Sequence, residues 1–258
     1  MLHVGALLER APGRKYTAAL RFAEFAPRGP LPRPGTLASM RAGLPADFAF
    51  SLRAPRSSVS SSRGTLRMDE QLEAGRAWLL SAADALAARA IVFNTPADLT
   101  PGARSRDLLR EYVASLPRVE GRHYVWWPQG VWEAPDAQAL CAELGLVYGF
   151  DPLETRPGAS EVVYATLRAL GHRSGFSLAA LSDAVSIATS HAPKEAFLSV
   201  DAERAFDIAR RLRGLSDGAS AAPSAPSADP EQDEFDEDED EDEDALEGDE
   251  QDESLAES

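Results

Sequence analysis

Arginine is the residue type that stands out for chemistry. The stretch Leu44–Ser62, LPADFAFSLRAPRSSVSSS, alternates Phe48, Phe50 and Leu52 with Asp47, Ala49 and Ser51, then closes on Arg53 and Arg56 beside Ser57 and a serine-rich run. A guanidinium is a planar fork that binds phosphate or carboxylate through two parallel hydrogen bonds and keeps its charge at any physiological pH. Arg168 ends a second apolar run, VVYATLR, and Asn94 ends a third, AIVFN. Together, Arg53, Arg56, Ser57, Asn94 and Arg168 predict a site for a small anionic, phosphorylated ligand. Trp126, one of three tryptophans within seven residues, adds an aromatic surface on which a sugar or base could stack. Glu24 and Asp151 follow apolar runs and suit proton transfer, and His172 lies close enough to Arg168 in sequence to supply a further proton. The four histidines and Cys141 show no ligand spacing, so neither a metal nor a cofactor is expected.

Such residues converge only if their segments are neighbouring strands. Leu44–Arg53 reads as a strand by its period of two. The runs at Leu2–Ala6, Phe22–Phe25, Ala90–Asn94, Arg122–Trp127, Leu146–Phe150, Val162–Arg168 and Ala196–Val200 are short and apolar, as strands buried on both faces are. Helical patterns separate most of them, at Leu37–Ala42, Met68–Ala88, Arg104–Leu116, Pro135–Leu144, Ser177–Thr189 and Ala202–Leu215. The stretch after Asp151-Pro152 is poorly helical. Ala26–Gly35, with four prolines, reads as loop. Eight strands in about 215 residues predict an α/β fold, a compact TIM-like (β/α)8 barrel with some helices shortened. In such a barrel, polar residues at the carboxyl ends of strands line the ligand site.

Charge divides the 258-residue chain. Residues 229–258 hold 19 of the 42 acidic residues and no Lys or Arg, which leaves the first 228 with a formal charge near +3 although the whole carries −16. The expected organisation is a barrel domain over 1–215, an Ala/Ser/Pro linker over 216–230 and a disordered acidic tail over 231–258. One cysteine excludes an intrachain disulfide, and no apolar run approaches the roughly 20 residues of a membrane helix. A cytoplasmic protein is expected, with no membrane partner. The tail would engage basic protein partners, and its charge argues against direct nucleic-acid binding.

In this order the segments resemble the YecE-like family (domain of unknown function 72). The resemblance rests on His3–Gly5 (HVG), Leu44–Arg56, Ala90–Pro101 (AIVFNTPADLTP), Tyr164–Gly171 (YATLRALG) and the closing Glu195–Leu212. It implies a TIM barrel without implying a settled activity. Several positions depart from the family pattern. Glu24 is present but the Asn that usually follows is not, and Trp126 and Pro128 stand where an acid and an arginine are usual. Leu170 replaces a histidine, Asn94 replaces a glutamine, and the paired Asn usual on the last strand are missing around Ser199–Asp201. The expected function is accordingly anionic-ligand binding at the carboxyl face of the barrel, any catalysis being a hydrolase- or lyase-type reaction with Glu24 or Asp151 as base. The alternative is a degenerate, non-catalytic barrel used as a binding or regulatory module.

Overall fold

The computed structural model describes residues 1–169 and 175–219; Leu170, His172 and the acidic segment lie outside the described residues. The chain opens with β1 (Leu2–Leu8), α1 (Arg14–Ala19), β2 (Phe22–Phe25), α2 (Pro34–Ala42) and β3 (Ala49–Arg53). A small hairpin of β4 (Ser60–Ser61) and β5 (Gly64–Thr65) precedes α3 (Glu70–Ala85), β6 (Ala90–Thr95), α4 (Ala103–Ala114) and β7 (His123–Pro128). There follow α5 (Ala134–Leu144), β8 (Val147–Phe150), β9 (Val162–Arg168), α6 (Leu178–Thr189), β10 (Glu195–Asp201) and α7 (Ala205–Ala219). Eight of the strands close into one barrel in the order β1-β10-β9-β8-β7-β6-β3-β2, and every pairing within it is parallel. This is the expected TIM-like (β/α)8 barrel with one helix missing, between β8 and β9.

Local chemistry explains where the elements start and stop. Pro34 lies inside the first turn of α2, where its missing N–H costs nothing, so this helix begins within the expected proline loop. Asp69 caps α3 by accepting from the Leu72 N–H at 2.8 Å, and Ala87 in the left-handed region (φ 49°) ends it, which trims the expected Met68–Ala88 helix at both ends. Helix α7 runs four residues past Leu215. The expected serine loop is partly ordered. Arg56–Ser58 forms a 3-10 turn packed so closely on α3 that a Cβ on Gly75 would meet the Ser57 carbonyl oxygen at 2.1 Å. At the seam of β1 and β2, the Tyr16 hydroxyl accepts from the Ala6 N–H at 2.8 Å and donates to the Phe22 carbonyl at 2.6 Å.

Side-chain alternation sorts the strand residues into two buried environments rather than one buried and one wet. Phe48, Phe50 and Leu52 point to the helical layer, in one large cluster with Leu72, Leu79 and Leu86. Inside the barrel a separate cluster holds Phe22, Ala49, Ala90, Val92, Val125, Tyr164 and Phe197. Ser51 is buried among them and bonds the Tyr164 hydroxyl at 2.7 Å, although β3 and β9 are not neighbours. That bond crosses the barrel axis. No helix among the described residues is long and apolar enough to cross a membrane.

The amino-terminal end of the barrel is closed by charge. Glu195 receives His3 Nε2 at 3.0 Å, His123 Nε2 at 3.1 Å and Arg89 Nη2 at 2.8 Å, and His3 stacks on Phe197 at 5.0 Å between centroids. Burial pushes the His3 imidazole below its ordinary 6.5, outweighing the attraction of Glu195, and Arg89 pushes it the same way. Below pH 6.5 the unfolded imidazole therefore takes up a proton that the folded one resists, so this group's contribution to stability falls as pH drops from 6.5. Denaturant midpoints at pH 7.5, 6.5 and 5.5 should show a steeper acid-side loss for the wild type than for His3→Asn. Parallel profiles would mean that His3 carries no linkage.

Candidate functional site

The carboxyl ends of β2, β3 and β10 bring together a carboxylate, a guanidinium and a second carboxylate. Glu24 is the third residue of β2 and pairs in register with Ser51, two residues before Arg53 on the same face of β3. Arg53 donates through Nε to Glu24 Oε1 at 2.7 Å and through Nη1 to Asp201 Oδ2, across the barrel mouth, at 2.9 Å. Glu24 has no solvent exposure, while Arg53 and Asp201 lie nearer the rim. Burial pulls the guanidinium toward losing its proton, but the Glu24 charge and the hydrogen bonds to Glu24 and Asp201 more than reverse this and raise its pKa. Nearby, burial holds the Tyr164 hydroxyl well above its ordinary value, and the Glu24 charge adds to the effect.

A second group forms around Arg168, where β9 ends. Its guanidinium lies over the Trp127 ring, 4.6 Å from the centroid, with Glu154 at 3.7 Å and Asp151 at 3.9 Å. Both oxygens of Asp151 already accept backbone N–H groups, from Leu153 at 3.0 Å and from Arg168 at 3.1 Å. Burial raises the Asp151 pKa against those bonds. Arg168 and Asp151 also line a cleft of ≈320 Å³ with Leu153, Glu154, Phe176 and Ser177.

Six buried side-chain atoms among the described residues have no hydrogen-bond partner: Glu24 Oε2, Arg53 Nη2, Asn94 Oδ1, Thr166 Oγ1, Arg168 Nε and Ser199 Oγ. All belong to inward-facing residues in the carboxyl half of the barrel strands. The large majority of buried side-chain polar atoms are paired with protein or water, and an orphan costs about 1–3 kcal/mol. All six are concentrated at one end of the barrel interior. Thr166 and Ser199 are register partners on adjacent strands, so they lie side by side on the inner face.

The expected residues are only partly brought together. Glu24, Arg53, Asn94, Asp151 and Arg168 converge on the mouth. Arg56 stands exposed on the 3-10 turn and Ser57 packs against α3, so neither joins them; the chain leaves β3 at Arg53 and turns away over the helical layer. Trp126 points the wrong way for a ligand contact. It is fully buried outside the barrel, edge-on to Trp132 at 4.9 Å, with its Nε1 donating to Thr95 at 2.9 Å. Trp127 faces the mouth instead, because neighbours on a strand face opposite ways. His172 lies outside the described residues. Sequence reading missed Asp201, Thr166, Ser199 and Ser51, although Thr166 and Ser199 each sit two residues before a polar strand end, which is the spacing of a shared face. Among the described residues, no three or more His, Cys, Asp or Glu are placed to hold a metal.

A second concavity lies where the missing helix would be. Cys141, Leu146, Tyr148 and Phe150 line a groove of ≈130 Å³ on the outer face of β8 and β9. Burial pushes the Cys141 thiol up to about 12, so it is not a nucleophile at neutral pH. None of the six orphaned atoms faces this groove.

Compared with solved structures, the chain is similar to a DUF72 family protein from Enterococcus faecalis V583, at 12% identity and a TM-score of 0.62, covering 90% of this chain and 99% of that one. A DUF72 family protein from Thermotoga maritima MSB8 matches at 14% identity and 0.57, covering 77% and 85%. The structure of SacUVDE matches at 9% identity and 0.60, covering 86% and 100%. At these identities the likeness establishes the barrel fold. No protein-family model and no curated protein matches the sequence.

Proposed function

We propose that this chain is a divergent member of the DUF72 family and that it binds one small polar ligand at the carboxyl end of its barrel. The observation that carries the reading is the set of six partnerless buried atoms, which includes both hydrogen-bond donors and acceptors. A ligand bonded to several of them would pair polar atoms that no protein group among the described residues pairs. Of the two acids expected to act as base, Glu24 has an oxygen free to take a proton from a ligand, whereas Asp151 has both oxygens engaged. Any hydrolase- or lyase-type step would accordingly run through Glu24.

An anionic group on the ligand is a second reading, favoured by the free N–H donors of Arg53 and Arg168. The test is thermal unfolding of the full chain against neutral, anionic and cationic small molecules, repeated on Thr166→Val/Ser199→Ala. At least one compound should raise Tm in the wild type, since binding to the native state alone stabilises it by mass action, and the double variant should lose that rise. No rise with any compound in a cooperatively melting protein would contradict the proposal, as would a rise that the double variant keeps.

A further inference from the structure

Accepting that the mouth binds a small polar ligand, we infer that this ligand is a neutral polyol or sugar, recognised hydroxyl by hydroxyl, rather than a phosphate or carboxylate. The key is the way Arg53 meets Glu24. Nε and Nη2 are the two donors on the side-on edge of a guanidinium, the edge that normally closes on both oxygens of one carboxylate. Here Nε reaches Glu24 through Oε1, while Nη2 and Oε2 are both buried and have no hydrogen-bond partner. An unpaired donor and an unpaired acceptor on one ion pair suit a hydroxyl, which can accept from Nη2 and donate to Oε2. A carboxylate, or an unprotonated oxygen of a phosphate, would satisfy Nη2 but set a lone pair against Oε2.

The rest of the mouth has the same character. Thr166 and Ser199 present a register-paired set of hydroxyls, each able to donate and accept, and Asn94 adds an acceptor through Oδ1. Charge points the same way. Arg53 and Arg168 are paired with Glu24, Asp201, Asp151 and Glu154, two cations against four carboxylates. The arginines are therefore already neutralised, and an added anion would enter a formal excess of negative charge.

The experiment is isothermal titration of the full chain with glycerol, ribitol, D-ribose and myo-inositol, and in parallel with inorganic phosphate and glycolate. Wild type, Glu24→Gln and the near-isosteric Thr166→Val are compared, with circular dichroism confirming that each variant is folded. Titration separates saturable binding from the general stabilisation that polyols give by exclusion from the surface. At least one polyol should bind saturably, and Thr166→Val and Glu24→Gln should each weaken it, Glu24→Gln by about tenfold or more. If either anion binds and no polyol does, this inference fails while the ligand-binding mouth stands. Polyol binding unchanged in both variants would also overturn it. If nothing in either series binds, the polyol assignment fails, and the thermal panel described above then decides whether the mouth binds at all.

Discussion

Arg53→Ala should cost about 3–5 kcal/mol of folding stability, the loss typical of breaking a buried ion pair by removing one partner. For a domain of this size that is a drop in Tm on the order of 10 °C. The cause is what the substitution leaves behind. Glu24 has no exposure to water, and its Oε1 accepts from Arg53 Nε. Without the guanidinium, that carboxylate must either remain charged in a poorly solvated barrel or take up a proton. Asp201, nearer the rim, is better able to turn to solvent. The pair itself need not be net stabilising, because each ion was desolvated to form it. The double substitution Glu24→Met/Arg53→Met should therefore regain most of the loss, and urea unfolding of the two variants beside the wild type measures both terms. A double variant as unstable as Arg53→Ala would show that the arginine matters through its packing rather than through Glu24.

Trp126→Ala should be comparably severe, at about 3–5 kcal/mol, while Trp126→Phe should leave ligand binding intact. The indole is one of the largest fully buried side chains of the chain and fills the space between β7 and Trp132, with its N–H satisfied by Thr95. Truncation opens a cavity and orphans the Thr95 hydroxyl. Nothing in that environment touches the barrel interior, so a ligand that raises Tm in the wild type should raise Trp126→Phe by a similar amount. Trp127→Ala has the opposite profile, because it removes the ring beneath Arg168. A ligand response lost in Trp126→Phe and kept in Trp127→Ala would invert the assignment of the two faces of β7.

These two tryptophans show how far a sequence can be read. The strands were legible because parallel strands buried on both sides are short apolar runs, and Leu44–Arg53, Ala90–Asn94 and Val162–Arg168 stand out as such. The gap after β8 was legible as well, since Asp151-Pro152 starts a stretch with poor helical pattern, and no helix forms there. Which face of each strand looks into the barrel was harder. In HYVWW every residue is large, so hydropathy does not separate Val125 and Trp127 from Trp126, and only closure of the sheet does so. Arg53 and Arg56 looked equivalent for a related reason. Only two residues separate them, but the strand ends at the first, and the chain then packs over α3.

Partners across the barrel were the least legible. Asp201 lies 148 residues from Arg53, and no local pattern announces that the two will meet. Thr166 and Ser199 look like ordinary strand residues until register sets them side by side. The arginines alone suggested an anion site, and the carboxylates that neutralise them became apparent only in three dimensions.

The most direct measurement is a crystal structure of the full chain soaked with the small molecule that most raises its Tm. The expected result is ligand density at the barrel mouth, within hydrogen-bond distance of Glu24 Oε2 and Arg53 Nη2 and of at least one of the Thr166 and Ser199 hydroxyls. Ligand density elsewhere, with those four atoms paired to other protein groups or to water undisturbed by the ligand, would contradict the assignment of this end of the barrel as the binding site.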